Sequence, residues 1–171
     1  MQLKLVILCS FLLLLTAALA WGEQVCSDKL PLSTPDENFM IVQEGTLLGK
    51  NTGLVWMRCS LGQSWDGESC QGQGKLFTWI AALKAANHNQ YAGFKDWRLP
   101  NKNELESLVE LSCSLPAINA TLFPQTPRGF FWSSSPYSGV ADGAWSVDFA
   151  YGAVVASEKS GKNHVRLVRD W

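Results

Sequence analysis

From residue 39 onward, apolar residues come in short bursts whose period changes twice along the chain. Phe39-Met40-Ile41-Val42-Gln43 and Leu54-Val55-Trp56-Met57-Arg58 are β-branched and aromatic runs bounded by turn residues, which predicts two strands. Between them, Gly45, Gly49 and Asn51-Thr52-Gly53 read as a turn region. A loop rich in glycine follows and runs on through Gly72 and Gly74. The period then becomes helical. Thr78 stands in an N-cap position. Ile80, Leu83 and Ala86-Asn87 follow at helical spacing, with Ala81, Ala82 and Ala85 as good formers, and the helix fades near Asn89. Ala92-Gly93-Phe94-Lys95-Asp96 reads as a turn, and Trp97-Arg98-Leu99 runs extended into Pro100. Asn101 with Glu104 three residues on has capping-box spacing, so a second helix starts there. Leu105, Leu108, Val109 and Ser112 share one face of it, which would bring Cys113 beside the core.

Residues 114–129 carry Pro116, Pro124 and Pro127 and read as a loop. Beyond them the period becomes two. Phe130-Phe131-Trp132-Ser133-Ser134 predicts a strand. Ala144-Trp145-Ser146-Val147-Asp148-Phe149 predicts another, with Trp145, Val147 and Phe149 inward. Tyr151-Gly152 turns the chain into Ala153-Val154-Val155-Ala156. Ser160-Gly161-Lys162-Asn163 turns it again into His164-Val165-Arg166-Leu167-Val168. Strands, two helices, then an antiparallel meander describe an α+β fold with its helices set against a sheet.

The N-terminal end follows a different logic. Met1-Gln2-Leu3-Lys4, an apolar run over residues 5–15, and the small-residue site Ala18-Leu19-Ala20 make the three parts of a secretory signal, with cleavage after Ala20. The apolar run is shorter than the roughly 20 residues that span a bilayer, and no later stretch could cross one. Residues 1–20 are therefore read as the signal, 21–38 as an irregular leader with Pro31 and Pro35, and 39–171 as one domain. The expected location is secreted or periplasmic.

Export decides how the cysteines are read. Cys26, Cys59, Cys70 and Cys113 remain after the signal, an even number in an oxidising compartment, so two disulfides are expected among three possible pairings. Cys59 and Cys70 bracket a loop that closes easily, a crosslink that contributes about 3 kcal/mol on chain entropy. This pairs Cys59 with Cys70 and leaves Cys26 with Cys113. A zinc site is disfavoured, because no Cys-x-x-Cys occurs and neither His88 nor His164 lies near a cysteine. Charge adds little: 14 Lys and Arg against 15 Asp and Glu give no basic surface for nucleic acid. Asp66 and Glu68 are a weak start on the six to eight oxygens that calcium takes, and no cofactor or metal is expected.

Several motifs together resemble a known bacterial family. They are Thr52-Gly53-Leu54-Val55-Trp56-Met57-Arg58-Cys59 and Gly62-Gln63-Ser64-Trp65-Asp66-Gly67 closing at Cys70-Gln71-Gly72. The most specific is Asp96-Trp97-Arg98-Leu99-Pro100-Asn101 with Glu104-Leu105. Pro116-Ala117-Ile118-Asn119, Phe123-Pro124, Phe131-Trp132-Ser133-Ser134-Ser135 and Val165-Arg166-Leu167-Val168-Arg169 continue the match in order. The chain is similar, over roughly residues 39–170, to the C-terminal domain family of the Legionella collagen-like adhesin. The resemblance implies a C-type lectin-like fold, two helices on a twisted antiparallel sheet. In the adhesin it is linked to binding sulfated glycosaminoglycans through a trimer. This chain carries no collagen-like repeat, and Lys159, Lys162, Arg166 and Arg169 are scattered along a hairpin, not gathered as a sulfated polymer requires.

Candidate chemistry follows from these readings. Trp97 and Arg98 read as a structural brace, as do Arg166 and Arg169. Tyr137, Asp142, Ser146, Asp148 and Tyr151 lie on or beside the outward side of the meander and are the expected ligand-binding residues, with aromatics to stack on a sugar and Asp and Ser to take its hydroxyls. No Gly-x-Ser-x-Gly or His-Glu-x-x-His motif occurs. The tail from Arg166 to Trp171 is similar to the closing motif of formylglycine-generating oxidases, but that chemistry needs free thiols, and bridged cysteines are inert. The expectation is a non-enzymatic binding module for carbohydrate or another cell-surface ligand. The alternative is an accessory subunit of a surface assembly that meets protein partners.

Overall fold

Two runs of four consecutive buried residues organise the molecule. In the computed structural model, which describes residues 23–139 and 141–171, Thr46–Gly49 and Leu54–Met57 are buried along their whole length. The predicted signal, residues 1–20, lies outside the described residues.

In chain order the strands are β1 (Val25–Cys26), β2 (Phe39–Gln43), β3 (Thr46–Gly49), β4 (Leu54–Met57), β5 (Ser64–Trp65) and β6 (Cys70–Gln71). Helices α1 (Trp79–Asn87) and α2 (Lys102–Glu106) follow. Then come β7 (Cys113–Ser114), β8 (Phe130–Tyr137), β9 (Gly143–Asp148), β10 (Ala153–Glu158) and β11 (Val168–Asp170). Among the described residues the fold is mixed, mostly antiparallel sheet with two α-helices and two disulfides.

β3 and β4 lie inside a four-stranded sheet ordered β11-β4-β3-β2. Side chains on a strand alternate between faces, so the two strands feed two cores. Leu47, Leu54 and Trp56 join Leu105, Leu108, Ile118, Phe123, Phe131, Phe149 and Val168. Leu48, Val55 and Met57 join Ala82, Ala86, Trp97, Leu99, Trp132 and Leu167 on the other face. A sheet covered on both sides reads as continuous apolar sequence. β3 itself stands where a turn region was expected. Gly45 and Gly49 do punctuate the chain there, but only Gly45, at φ 74°, takes a turn conformation that glycine favours.

The helices depart from expectation in extent and in face. α1 starts after Thr78 as predicted, but buries Ala82 and Ala86 and leaves Ile80 exposed. α2 has the predicted capping box: Asn101 Oδ1 accepts from Glu104 N at 2.9 Å, and Glu104 Oε2 accepts from Asn101 N at 2.7 Å. It stops at Glu106, so Cys113 sits in β7 and not on a helix. The proline-rich stretch 114–129 is irregular but contributes Ala117, Ile118 and Phe123 to the core.

Both disulfides have the expected partners, Cys26–Cys113 and Cys59–Cys70. The leader is irregular in part yet firmly tied: β1 pairs with β7 through Cys26 opposite Cys113. The last strand begins later than predicted because residues 163–167 serve several partners. Asn163 exchanges bonds with Phe77, His164 O accepts from Trp132 N, and Leu167 O accepts from Met57 N. Trp97 is buried, and Arg98 exchanges backbone bonds with Val168, which joins the segment between the helices to β11.

Candidate functional site

A bulge in β8 creates the surface feature with the most ligand-like chemistry. The three-stranded sheet is ordered β10-β9-β8. Trp132 pairs with Ser146 and Pro136 with Ala144, so residues 133–135 all lie opposite Trp145. Such a bulge breaks the ladder and re-aims side chains. Trp145, expected inward, is half-exposed here. Its ring lines a groove of about 290 Å³ with Asn101, Lys102, Asn103, Ser135 and Pro136.

Each wall has a local cause. Tyr137 packs edge-on against Trp145, with ring centroids 4.9 Å apart, and fixes the indole. Ser135 Oγ accepts from Lys102 N at 3.0 Å and so docks the start of α2 against the bulge. Lys102 Nζ lies 5.9 Å from the Trp145 ring and 2.9 Å from Glu106 Oε2. The groove therefore holds one aromatic plate, two amides, a hydroxyl and a partly neutralised ammonium. On the other side of the bulge, Leu83, Ala86, Asn87, Trp97, Arg98, Leu99 and Ser134 line a second groove of about 330 Å³.

The site expected from sequence does not assemble as one surface. Ser146 is fully buried, with its hydroxyl 2.7 Å from Ser157 Oγ and 3.3 Å from Val155 O. Asp148 is 9% exposed, and its Oδ1 accepts from Ala150 N at 2.8 Å, capping the turn into β10. β9 is covered on both faces, so alternation does not put these two residues outside. Tyr151 is exposed at one end of β9, while Asp142 is exposed and Tyr137 half-exposed at the other. The six residues between keep the ends about 17 Å apart. None of the five lines the groove, and only Tyr137 touches it, through its contact with Trp145.

Three charged groups brace the frame. Arg98 makes a forked pair with Glu104 at 2.8 and 3.0 Å and reaches Asp170 at 2.8 Å. Desolvation would raise the Glu104 pKa, but the bonds from Arg98 and Asn101 outweigh it and hold it down. Arg169 pairs with Asp96 at 2.9 Å and lies 4.1 Å from the Phe94 ring. Arg166 is completely buried. It donates to Met57 O at 2.9 Å, to Arg58 O, and to Thr126 Oγ1 at 2.7 Å, with the Phe123 ring 4.8 Å away. Burial pushes its pKa down.

Sequence reading missed Glu110. It is 1% exposed and accepts from the backbone N–H groups of Ser33, Thr34 and Ser112 and from the hydroxyls of Thr34 and Ser112, while the Ser33 hydroxyl shares its one proton between Glu110 and Val109 O. Desolvation opposes ionisation here, but the Ser33, Ser112 and Thr34 bonds overcome it and bring the pKa to about 2. The signal was available: an acid among Val109, Leu111 and neighbouring serines needs donors if buried.

Asp66 is committed to its own loop, accepting from Glu68 N, Ser69 N and Gln71 Nε2 at 2.7–2.9 Å. Those bonds, led by the one from Ser69, lower its pKa. Among the described residues no group of three or more His, Cys, Asp or Glu is placed to hold a metal.

The sequence profile of the Lcl C-terminal domain matches residues 45–169, well over half the chain. The chain belongs to the Lcl C-terminal domain family. A search of curated proteins finds no match. Within the Lcl C-terminal domain so delimited fall the Trp145 groove, the Arg98 and Arg166 braces and the Cys59–Cys70 bridge. Cys26, Ser33 and Thr34 precede the matched residues, so the leader strapped by Glu110 lies outside the matched segment. Among the described residues no helix is long and apolar enough to cross a membrane.

Proposed function

We propose that this Lcl C-terminal domain is a non-enzymatic, extracytoplasmic binding module of C-type lectin-like architecture that recognises carbohydrate through the Trp145 groove. The observation that carries this reading is the half-exposed indole, held edge-on by Tyr137 and bordered by Asn101, Asn103, Ser135 and Lys102. A sugar ring has an apolar C–H face and a rim of hydroxyls. An aromatic plate suits the first, and amides and hydroxyls on rigid elements suit the second. The four described cysteines are all bridged, which favours binding over thiol oxidation. Neither His88, whose Nδ1 lies 2.7 Å from Lys84 O, nor His164, packed against Phe131, lines the Trp145 groove, so no imidazole stands there as a general base. Two disulfides suit a secreted or periplasmic protein.

A second reading, an accessory subunit that meets protein partners, draws on exposed apolar residues around the strap: Val25, Leu30, Leu32 and Leu111. A glycan-array screen of the mature protein, paired with its Trp145→Ala variant, tests the first reading. Glycan signals that Trp145→Ala abolishes support it. An empty array together with a stoichiometric protein partner from envelope extracts would favour the second.

A further inference from the structure

A second pocket lies at the far end of α2. The Trp145 groove uses the start of that helix, Asn101 to Asn103. The pocket uses the residues just past its end, Ser107 and Leu108, together with the leader and the β3–β4 turn. Its volume is about 200 Å³. Phe39, Trp56 and Leu108 form an apolar floor. Ser33, Thr34, Asn38, Asn51, Thr52 and Ser107 supply a polar rim.

The rim is preorganised. Lys50 N donates to Asn38 O at 2.8 Å, which ties the leader to the β3–β4 turn. Thr52 Oγ1 donates to Gly49 O at 3.3 Å and Ser107 Oγ to Glu104 O at 2.6 Å. Thr34 is fixed by Glu110. The floor is equally fixed: Trp56 is 1% exposed, and Phe39 packs edge-on to Phe123 at 5.8 Å.

We propose that this pocket, walled by the leader, binds one neutral pyranose unit, independently of the Trp145 groove. Three features select that class. No lining residue carries a charge, so a sulfate, phosphate, carboxylate or metal ion would lose hydration without a counter-charge. The volume is below the roughly 300 Å³ at which drug-sized sites begin, which leaves room for a single ring. A wholly apolar ligand would leave the Asn38 and Asn51 amides facing it unpaired. A pyranose sets its C–H face against Phe39, which buried Trp56 and Leu108 support from beneath, and turns its hydroxyls to the amides and hydroxyls of the rim.

Saturation-transfer NMR on the disulfide-intact protein carrying Trp145→Ala, in which the groove gives no signal, tests this, with neutral hexoses and N-acetylhexosamines against a uronic acid and a sulfated sugar. The expected result is transfer to at least one neutral sugar and none to the charged ones. Ser107→Trp, at an exposed position on the pocket mouth, should abolish it. Asn51→Ala should weaken it about tenfold. Absence of neutral-sugar binding at about 50 mM would overturn the proposal. So would equal binding of charged sugars, or binding that survives both Ser107→Trp and Asn51→Ala. Loss through Trp145→Ala alone would assign the signal to the groove and refute an independent pocket.

Discussion

Replacing Glu110 by Gln keeps the size of the side chain and removes its charge. One carboxylate oxygen that accepts from Thr34 and another that accepts from Ser33 and Ser112 become one carbonyl and one amide. The new N–H₂ then faces N–H donors. Depression of the Glu110 pKa from an ordinary 4.5 to about 2 corresponds to about 3 kcal/mol in favour of the ionised folded form. The carboxylate lies beneath a single layer of leader, where solvent screening is not negligible, so about 2 kcal/mol is the expected loss at neutral pH. The pH dependence fixes the mechanism. The unfolded chain takes up the proton near pH 4.5, while the folded state resists until about pH 2. The stability is therefore fully present above the unfolded value and drains away as pH falls through that window. Urea unfolding of both proteins from neutral pH down to about pH 3 measures it. The gap should narrow steadily on acidification. A variant within about 0.5 kcal/mol of the parent at neutral pH, or a gap that does not shrink, would refute the account of Glu110 as an ionised strap anchor.

The two disulfides differ in reach. Cys26–Cys113 closes 87 residues and Cys59–Cys70 closes 11, so chain entropy assigns about 4.5 kcal/mol to the first and about 3 kcal/mol to the second. Urea unfolding of the two double-serine variants should rank them in that order, and the reverse order would show that the leader strap contributes little. Arg166→Met should cost about 3 kcal/mol, because the Met57 and Arg58 carbonyls are left buried without their donor. Arg166→Lys should recover less than half of that loss in thermal unfolding, since one ammonium cannot hold both carbonyls and Thr126 together. Full recovery by Lys would mean that charge alone matters there.

Much of the frame was legible in the sequence because its causes are local. The Asn101–Glu104 box, the Thr78 boundary and the run from Leu54 to Met57 carry their own signals within a few residues. The cysteine pairing was legible because one short loop closes easily and leaves a single remaining pair. What stayed hidden depends on distant partners. Thr46–Gly49 is a strand because β2 and β4 flank it and two cores cover it, which its glycines do not announce. Ser146 and Asp148 look outward under simple alternation, yet both are buried in β9, the middle strand of its sheet. Trp145 looks like core until the bulge at residues 133–135 leaves it half-exposed. Glu110 looks like an ordinary surface acid until the leader folds over it. The expectation that Ser146 and Asp148 face outward rested on one assumption, that only one face of the meander is buried, and the structure buries both residues.

The proposed carbohydrate groove stands or falls on Trp145 as its contact plate. Titration of the ¹⁵N-labelled mature protein with a glycan selected on the array, following the tryptophan indole N–H resonances, tests it most directly. The Trp145 resonance, assigned by its absence in Trp145→Ala, should shift in a saturable way while those of buried Trp97 and Trp132 stay in place. A saturable titration in which the Trp145 resonance does not move would contradict it.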